Sequence, residues 1–334
     1  MKSLLSALSI TVCTVTAAMT GAAAVGTAHA QSFQPAIVFD MGGKFDKSFN
    51  EAAYAGAERF KKESGIEYRE FEVTQEAQRE QALRTMARRG ANVVVGVGFA
   101  QASAMEKVSQ EFADTKFCII DSVVERPNVQ SITFKEHEGS FLVGMMAALA
   151  SKTGKVGFVG GMDIPLIRNF ATGYQQGVKH ANPQAEIFQN MTGTTPAAWR
   201  DPTRGGELAK SQMDRGADVI YAAAGGTGIG VLQAVADAKK LSIGVDSNQN
   251  HLHPGSVLTS MIKRVDVAVY NCMKSAKEGS WQAGSRVLGL KEDGVGYSLD
   301  DDNKSLVTDD MKQKVEAAKA QIVAGELQVQ PYKQ

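Results

Sequence analysis

The chain has 334 residues, which suggests about two domains and suffices for a large core without metal or disulfide staples. Its 36 Lys and Arg balance 36 Asp and Glu, so the formal net charge is zero. This argues against nucleic acid or an anionic membrane surface as the main partner, because both favour a basic face. The 43% hydrophobic and 22% charged content is ordinary for a globular protein and excludes a disordered chain.

The first thirty residues are typical of an export signal. Lys2 supplies a positive start, residues 4–25 are apolar and small, and Ala28-His29-Ala30 forms an A-x-A cleavage site. An uncleaved membrane anchor is the alternative, because the apolar stretch is nearly long enough to span a bilayer. The polar residues from Gln31 onwards favour cleavage, and Cys13 lies too early for a lipid anchor. We therefore expect a periplasmic protein that begins at Gln31.

Short apolar strands then alternate with amphipathic helices. Ser48 and Glu51 form an S-x-x-E pattern, which predicts a capping box at the first helix. The first round predicts strands at 36–39, 68–73, 92–97, 116–120 and 129–134, and helices at 48–64, 75–89 and 102–112.

The alternation restarts near residue 138. Helices are predicted at 138–151, 164–180, 206–215, 228–239, 265–278 and 311–324, and strands at 155–159, 185–190, 218–223, 241–245 and 257–261. Strand–helix alternation implies parallel sheets covered by helices, and two rounds of it imply two doubly wound lobes.

Two cysteines follow the leader. Cys118 lies in a predicted strand and Cys272 in a predicted helix, so we expect buried thiols. Export would permit a disulfide, but the sequence cannot test its geometry, and we predict none. The pair His251 and His253 lacks a second cluster at ligand spacing, so no metal site is predicted.

Residues that follow strand ends are candidates for ligand binding, because open α/β sheets bind ligands outside the carboxyl ends of their strands. Carboxylates there accept hydrogen bonds from hydroxyl or amine groups and repel phosphate, which favours a polyol, sugar, nucleoside or amine. Each Asp alone has a second interpretation as a cap or turn residue. These positions hold Asp40, Asp121 and Asp246 and the glycine-rich segments 96–98, 160–161 and 225–228.

The loop over residues 40–51 is the most distinctive segment. Gly42 and Gly43 free its backbone, and Phe49 and Asn50 follow in the first helical turn. An aromatic face beside an amide suits a flat ligand with donors and acceptors. Phe49 has a second interpretation as the start of the apolar helix face.

Enzymatic alternatives have weaker support. Residues 225–230 join a strand to a helix, and Asp246 lies at about the distance of a ribose-binding acid. Read from Gly226, however, G-x-G-x-x-G has Val231 in place of its last glycine. No G-x-S-x-G hydrolase motif occurs. A repressor would need a DNA-binding head where the leader stands.

Five blocks together resemble a known family. They are Asp40–Glu51, Glu138–Gly144 continued by Gly154–Gly161, Ala224–Gly228, Gly244–Ser247 and Thr259–Arg264. In this order they resemble the basic membrane protein family of ABC-transporter substrate-binding proteins, which contains purine nucleoside receptors. The resemblance implies a type I periplasmic-binding fold: an α/β protein of two doubly wound parallel-sheet lobes, joined by a hinge of three crossovers.

The resemblance also implies roles for individual residues. A base would stack between aromatic rings, here Phe49 and Trp199, with Phe170 and Tyr221 as rivals for the second ring. Asp246 and Lys263 would hold ribose hydroxyls. The full implied ligand set is Asp40, Phe49, Asn50, Asp121, Trp199, Gly225, Gly226, Asp246 and Lys263.

The resemblance implies a binding protein rather than an enzyme, without cofactor or metal, which passes a purine nucleoside to an ABC permease in the inner membrane. A sugar, free base or riboflavin stays an alternative, because Asn248 stands where an acid is expected. Many members are lipoproteins, whereas this chain has a signal for cleavage without a lipid anchor. We expect a monomer that binds no nucleic acid.

The predicted boundaries are a signal peptide at 1–30, a first lobe at 31–135 plus 255–283, and a second lobe at 136–254 plus 284–334. The three crossovers are expected near residues 134–138, 247–256 and 280–286.

Overall fold

A computed structural model describes residues 33–333. The predicted signal peptide, its cleavage site and Cys13 lie outside the described residues. The strands in the described part are β1 (Pro35–Phe39), β2 (Arg69–Glu72), β3 (Val93–Gly96), β4 (Lys116–Ile120), β5 (Val129–Phe134), β6 (Lys155–Met162), β7 (Glu186–Gly193), β8 (Val219–Ala223), β9 (Leu241–Asp246), β10 (Val257–Lys263), β11 (Gly284–Leu288) and β12 (Val295–Tyr297).

The helices in this part are α1 (Phe49–Ser64), α2 (Gln78–Arg88), α3 (Ala102–Glu111), α4 (Glu136–Ala150), α5 (Pro165–Ala181), α6 (Pro202–Asp214), α7 (Thr227–Asp237), α8 (Val265–Glu278) and α9 (Asp309–Ala324). Short 3₁₀ helices cover Phe99–Gln101, Pro196–Trp199 and Asn250–Leu252. Among these helices, none is both long and apolar enough to cross a bilayer.

The strands form two six-stranded sheets, in the orders β11-β5-β4-β3-β1-β2 and β12-β10-β9-β8-β6-β7. All pairs are parallel except β10 with β12. Leaving out β11 and β12, the second sheet repeats the strand order of the first. The predicted α/β architecture of two doubly wound lobes is therefore confirmed.

The chain crosses between the sheets at places that differ in part from the prediction. The first crossover, from β5 to α4, lies at the predicted position. The second follows β10 at residues 263–265, because β10 pairs with β9 in the second sheet and α8 then packs against α1 of the first lobe. The third follows β11, which pairs with β5, at residues 288–295.

The strand pairing thus assigns residues 257–263 to the second lobe and residues 284–288 to the first. The predicted boundaries had placed these two segments the other way round. The sequence pattern missed β11 because it is an exposed edge strand without an apolar face. We propose a first lobe of residues 33–134 and 265–288 and a second lobe of residues 136–263 and 295–333.

Helix α4 is buried along nearly its whole length and packs closely on α5. Glycines permit this approach: a Cβ at Gly144 would lie 2.3 Å from the Tyr174 carbonyl oxygen, and one at Gly177 would lie 1.9 Å from that of Phe141. Larger side chains at these positions would force the helices apart. The close pair fixes the first turn of α4 at the first crossover.

The prediction of free thiols is wrong, because Cys118 of β4 and Cys272 of α8 form a disulfide. Their Cα atoms lie 6.6 Å apart, within the usual range for a disulfide. A separation of 154 residues gives no local signal for such a pairing. The bond ties α8, which follows the second crossover, to the centre of the first sheet.

Candidate functional site

A cavity lies at the carboxyl ends of both sheets, where the lobes face each other. It encloses about 620 Å³ outside protein atoms, counting its open mouth. Of the predicted ligand residues, those that line it are Asp40, Phe49, Asn50, Asp121, Trp199, Gly225, Asp246 and Lys263.

Gly226 is the predicted residue that does not line the cavity. A Cβ at this position would lie 3.1 Å from the Trp199 carbonyl oxygen, 3.7 Å from the Gly42 carbonyl oxygen and 3.8 Å from Asp46 Cβ. Gly226 therefore lies where the second lobe meets the 40–51 loop of the first, and a side chain there would crowd this contact.

Lys263 forms the electrostatic centre of the cavity. It ends β10, is 1% exposed, and its Nζ lies 2.7 Å from Asp121 Oδ2 and 3.1 Å from Glu136 Oε1. Burial opposes its charge, but the carboxylates of Asp121, Glu136 and Asp246 raise the pKa of Lys263 above its ordinary value. The side chain is therefore a buried ammonium with hydrogen bonds to donate.

Asp246 ends β9 with a positive φ of 64°, a conformation that Asp tolerates better than most residues. Its Oδ2 accepts a hydrogen bond from Ser48 Oγ at 2.5 Å. Burial raises the pKa of Asp246 to about 6, and Lys263 and Ser48 oppose this rise. Asp246 thus offers its second oxygen, Oδ1, as an acceptor in the cavity.

Asp46 was missed as a site residue although it lies in the loop that the sequence singled out. Its carboxylate accepts hydrogen bonds from the backbone N–H groups of Ser48, Asn50 and Glu51, at 2.8 to 3.1 Å. The predicted capping box is therefore wrong: Asp46 caps α1, while Ser48 turns its hydroxyl to Asp246. Burial raises the pKa of Asp46 to about 7.

Asp40 and Asn50 line the cavity, and each already uses part of its hydrogen-bonding capacity on protein partners. Arg79 Nε donates to Asp40 Oδ1 at 3.0 Å, so the Asp40 charge is paired. Burial still raises the pKa of Asp40 above its ordinary value. Asn50 Nδ2 donates to the Asp40 carbonyl oxygen at 3.2 Å, which fixes the amide. Its buried Oδ1 has no protein partner and is free to accept from a ligand.

The aromatic candidates separate clearly. Phe49, Trp199 and Phe170 all line the cavity, whereas Tyr221 does not. Tyr221 is fully buried in β8, and its ring contacts Phe158 at 5.4 Å between centroids. The structure therefore removes Tyr221 as a candidate for the second stacking ring, and Trp199 and Phe170 stay candidates.

Trp199 ends a 3₁₀ helix and lies over glycine backbone. A Cβ at Gly161 would lie 2.1 Å from Trp199 Cζ3, and one at Gly225 would lie 3.7 Å from Trp199 Cε3. Glycine at 161 thus leaves the space that the indole fills. The second glycine cluster of the sequence acts by admitting an aromatic ring, a role that its strand-end position alone does not reveal.

The lobes also contact each other beside the cavity. Ser247 Oγ donates to the Ser48 carbonyl oxygen at 2.8 Å, and Gln249 Nε2 donates to the Lys47 carbonyl oxygen at 2.8 Å. Together with the bond from Ser48 to Asp246, these contacts join the 40–51 loop to the end of β9. The two lobes therefore touch each other directly beside the cavity.

Glu136 is the other charged residue near the cavity that the sequence pattern did not predict. It is the first residue of α4, whereas the apolar pattern placed the helix start at Glu138. Among residues 33–333, no group of three or more His, Cys, Asp or Glu side chains is arranged to hold a metal ion.

Comparison with known proteins identifies the family. Residues 33–332 match the family described as PnrA-like ABC transporter substrate-binding proteins. The chain belongs to this family. Its members are binding proteins rather than enzymes, and their partners are a small-molecule ligand and a membrane permease.

Relatives of this PnrA-like chain match over most of its length. The CD4+ T-cell-stimulating antigen of Listeria monocytogenes is 37% identical, covering 90% of this chain and 88% of the relative. The ABC transporter nucleoside-binding protein BmpA of Lactococcus lactis is 31% identical, covering 88% of each. A solved solute-binding protein of an ABC transporter system from Aeropyrum pernix K1 has a TM-score of 0.82 at 31% identity, covering 90% of this chain and 94% of that one.

Proposed function

We propose that this PnrA-like protein binds a purine nucleoside between its lobes and delivers it to an ABC permease. The observation that carries the proposal is the pairing, in one cavity, of aromatic rings with a buried carboxylate–lysine cluster. Aromatic faces suit a purine, and buried carboxylates beside an ammonium suit vicinal hydroxyls. The relative named as a nucleoside-binding protein supports the same ligand class.

In the proposed complex, the base stacks on Phe49 and Trp199, and its edge forms a hydrogen bond with the Asn50 side chain. The ribose hydroxyls donate to Asp246 Oδ1 and accept from Lys263. Ligand thereby bridges the lobes and shifts the population towards the closed form, which the permease recognises. The carboxylate surplus in the cavity disfavours nucleotides, because a phosphate would meet Asp246 and Asp121.

Isothermal titration calorimetry tests this proposal on protein that has been unfolded to release any retained ligand and then refolded. We expect guanosine, inosine or adenosine to bind, and the matching free base and ribose each to bind at least about 100-fold more weakly, since each keeps only part of the contacts. Riboflavin and arabinose serve as the other neutral ligands. Tighter binding of either one than of every purine nucleoside would reject the proposal.

We also propose that the protein is exported, cleaved after Ala30 and works in the periplasm. The basis is the leader sequence with its A-x-A ending. Intact-mass measurement of protein from the periplasmic fraction should give a chain that begins at Gln31. A mass that retains residues 1–30, or an added lipid, would contradict this.

A further inference from the structure

Glu136 lies behind the cavity rather than in its wall. It is the first residue of α4, directly after the first crossover, and its side chain is 2% exposed. Burial of a carboxylate is costly unless partners compensate for it. Burial raises the pKa of Glu136, and the Lys263 charge opposes the rise. The compensating contacts identify what Glu136 does.

The carboxylate of Glu136 joins two other side chains. Its Oε1 lies 3.1 Å from Lys263 Nζ, and its Oε2 accepts a hydrogen bond from Asn169 Nδ2 at 2.8 Å. Lys263 in turn donates to Asp121 Oδ2 at 2.7 Å. These four side chains form a series from the end of β4 in the first lobe to α5 in the second, and it passes through the first and second crossovers. The side chains of Asp121, Lys263 and Glu136 are buried, and Asn169 is half-buried.

Lys263 has three N–H donors, and one of them donates to Asp121 Oδ2. Glu136 holds the ammonium by charge: its Oε1 forms an ion pair with Nζ at 3.1 Å and accepts no hydrogen bond. Rings also surround the ammonium: its Nζ lies 5.0 Å from the Phe134 centroid, 5.3 Å from that of Phe49 and 5.4 Å from that of Phe170. A hydrogen bond to Asp121 and an ion pair with Glu136, which lies on a different element, together hold the ammonium in one position.

We infer that Glu136 is a positioning residue of the binding site, whose charge holds the Lys263 ammonium where its free N–H groups face the ligand. Glu136 itself touches no ligand. The inference rests on the proposed function, in which a ligand hydroxyl accepts from Lys263. Without the Glu136 charge, only Asp121 would hold the ammonium, which could then turn about its long side chain, and the binding contact would lose its fixed geometry.

Glu138 provides a matched control in the same helical turn. Its side chain is 12% exposed, its Oε1 pairs with Lys135 Nζ at 3.1 Å, and its Oε2 accepts from the Leu290 N–H at 2.8 Å. Glu138 thus contacts the third crossover instead of Lys263. A Glu138→Gln variant removes one buried carboxylate from α4 and leaves the lysine contacts in place.

Calorimetric titration with guanosine and inosine tests the inference on the full chain. We expect Glu136→Gln to weaken binding by about 10-fold to 100-fold, as supporting residues behind a site do elsewhere. The double variant Glu136→Gln, Lys263→Gln should bind no more weakly than Lys263→Gln alone, because both changes remove the same contact. Glu138→Gln should instead add its own small effect to that of Lys263→Gln. Wild-type affinity in Glu136→Gln, or full additivity with Lys263→Gln, would overturn the inference.

A measurement without ligand separates this inference from the proposed function. Nitrogen-15 NMR of lysine ammonium groups detects those that are buried and hydrogen-bonded, and Lys263→Gln assigns the signal. We expect the signal in wild type and Glu138→Gln and its loss in Glu136→Gln, with Glu136→Asp as the second variant should Glu136→Gln not fold. An unchanged signal in these Glu136 variants would overturn the inference, even if the wild type bound no nucleoside.

Discussion

Removal of the Asp246 carboxylate should weaken nucleoside binding without unfolding the protein. Asp246 Oδ2 is already occupied by Ser48 Oγ at 2.5 Å, which leaves Oδ1 for the ligand. One hydrogen bond to a charged group contributes about 1.5 to 3 kcal/mol. Each 1.4 kcal/mol corresponds to a tenfold change in affinity, so Asp246→Ala should bind about 10-fold to 150-fold more weakly.

Calorimetry with the best-bound purine nucleoside measures this loss. Asp246→Asn is the companion variant: it keeps the shape and removes the charge, so it should retain only part of the affinity. Asp237→Ala is the control, because Asp237 is exposed at the far end of α7 and should leave binding unchanged. Wild-type affinity in Asp246→Ala, with folded protein shown by circular dichroism, would refute the assignment of Asp246.

Three further predictions concern the disulfide, the indole and pH. Replacement of Cys118 and Cys272 by Ser should lower the free energy of unfolding, measured in urea, by about 2 to 5 kcal/mol, because a cross-link over 154 residues restricts the unfolded chain. Gly161→Ala should weaken nucleoside binding at least about 10-fold by calorimetry, because the added Cβ would lie 2.1 Å from the Trp199 ring and displace it. Affinity should rise with pH up to about 6 and then level off in titrations from pH 5 to 8. The reason is that ligand hydroxyls bind ionised Asp246, whose pKa burial raises to about 6 in the ligand-free protein.

Each of these has its own control and contrary outcome. Gly193→Ala, whose added Cβ would lie 3.5 Å from Ala198 Cβ, should bind normally, and equal effects at Gly161 and Gly193 would count against the ring contact. Unchanged unfolding of the Ser variant under oxidising conditions would show that the disulfide does not form in solution. If affinity instead falls as the pH is raised from 5 to 6, protonated Asp246 is the form that binds.

The rule that open α/β sheets bind ligands outside the carboxyl ends of their strands located most of the cavity from sequence alone. Asp40, Asp121 and Asp246 follow parallel strands of both sheets, and the fold brings them to one edge as expected. The rule works because the carboxyl ends of parallel strands lie at one edge of a sheet. In the sequence, each such end is marked by a polar residue after an apolar run.

Contacts between segments that are distant in sequence leave no local pattern from which to predict them. The Cys118–Cys272 bond, the pairing of Glu136 with Lys263 and the course of β11 all depend on where the crossovers take the chain. The cap of α1 was misassigned for a related reason. Ser48 has a partner 198 residues away in Asp246, and this bond diverts it from the local cap.

The central claim is that the cleft is built for a purine nucleoside. Native mass spectrometry of protein purified gently from the periplasm, followed by denaturation and identification of the released small molecule, tests it most directly. We expect a released mass equal to that of a purine nucleoside. Release of a sugar, a flavin or a nucleotide in its place would contradict the claim.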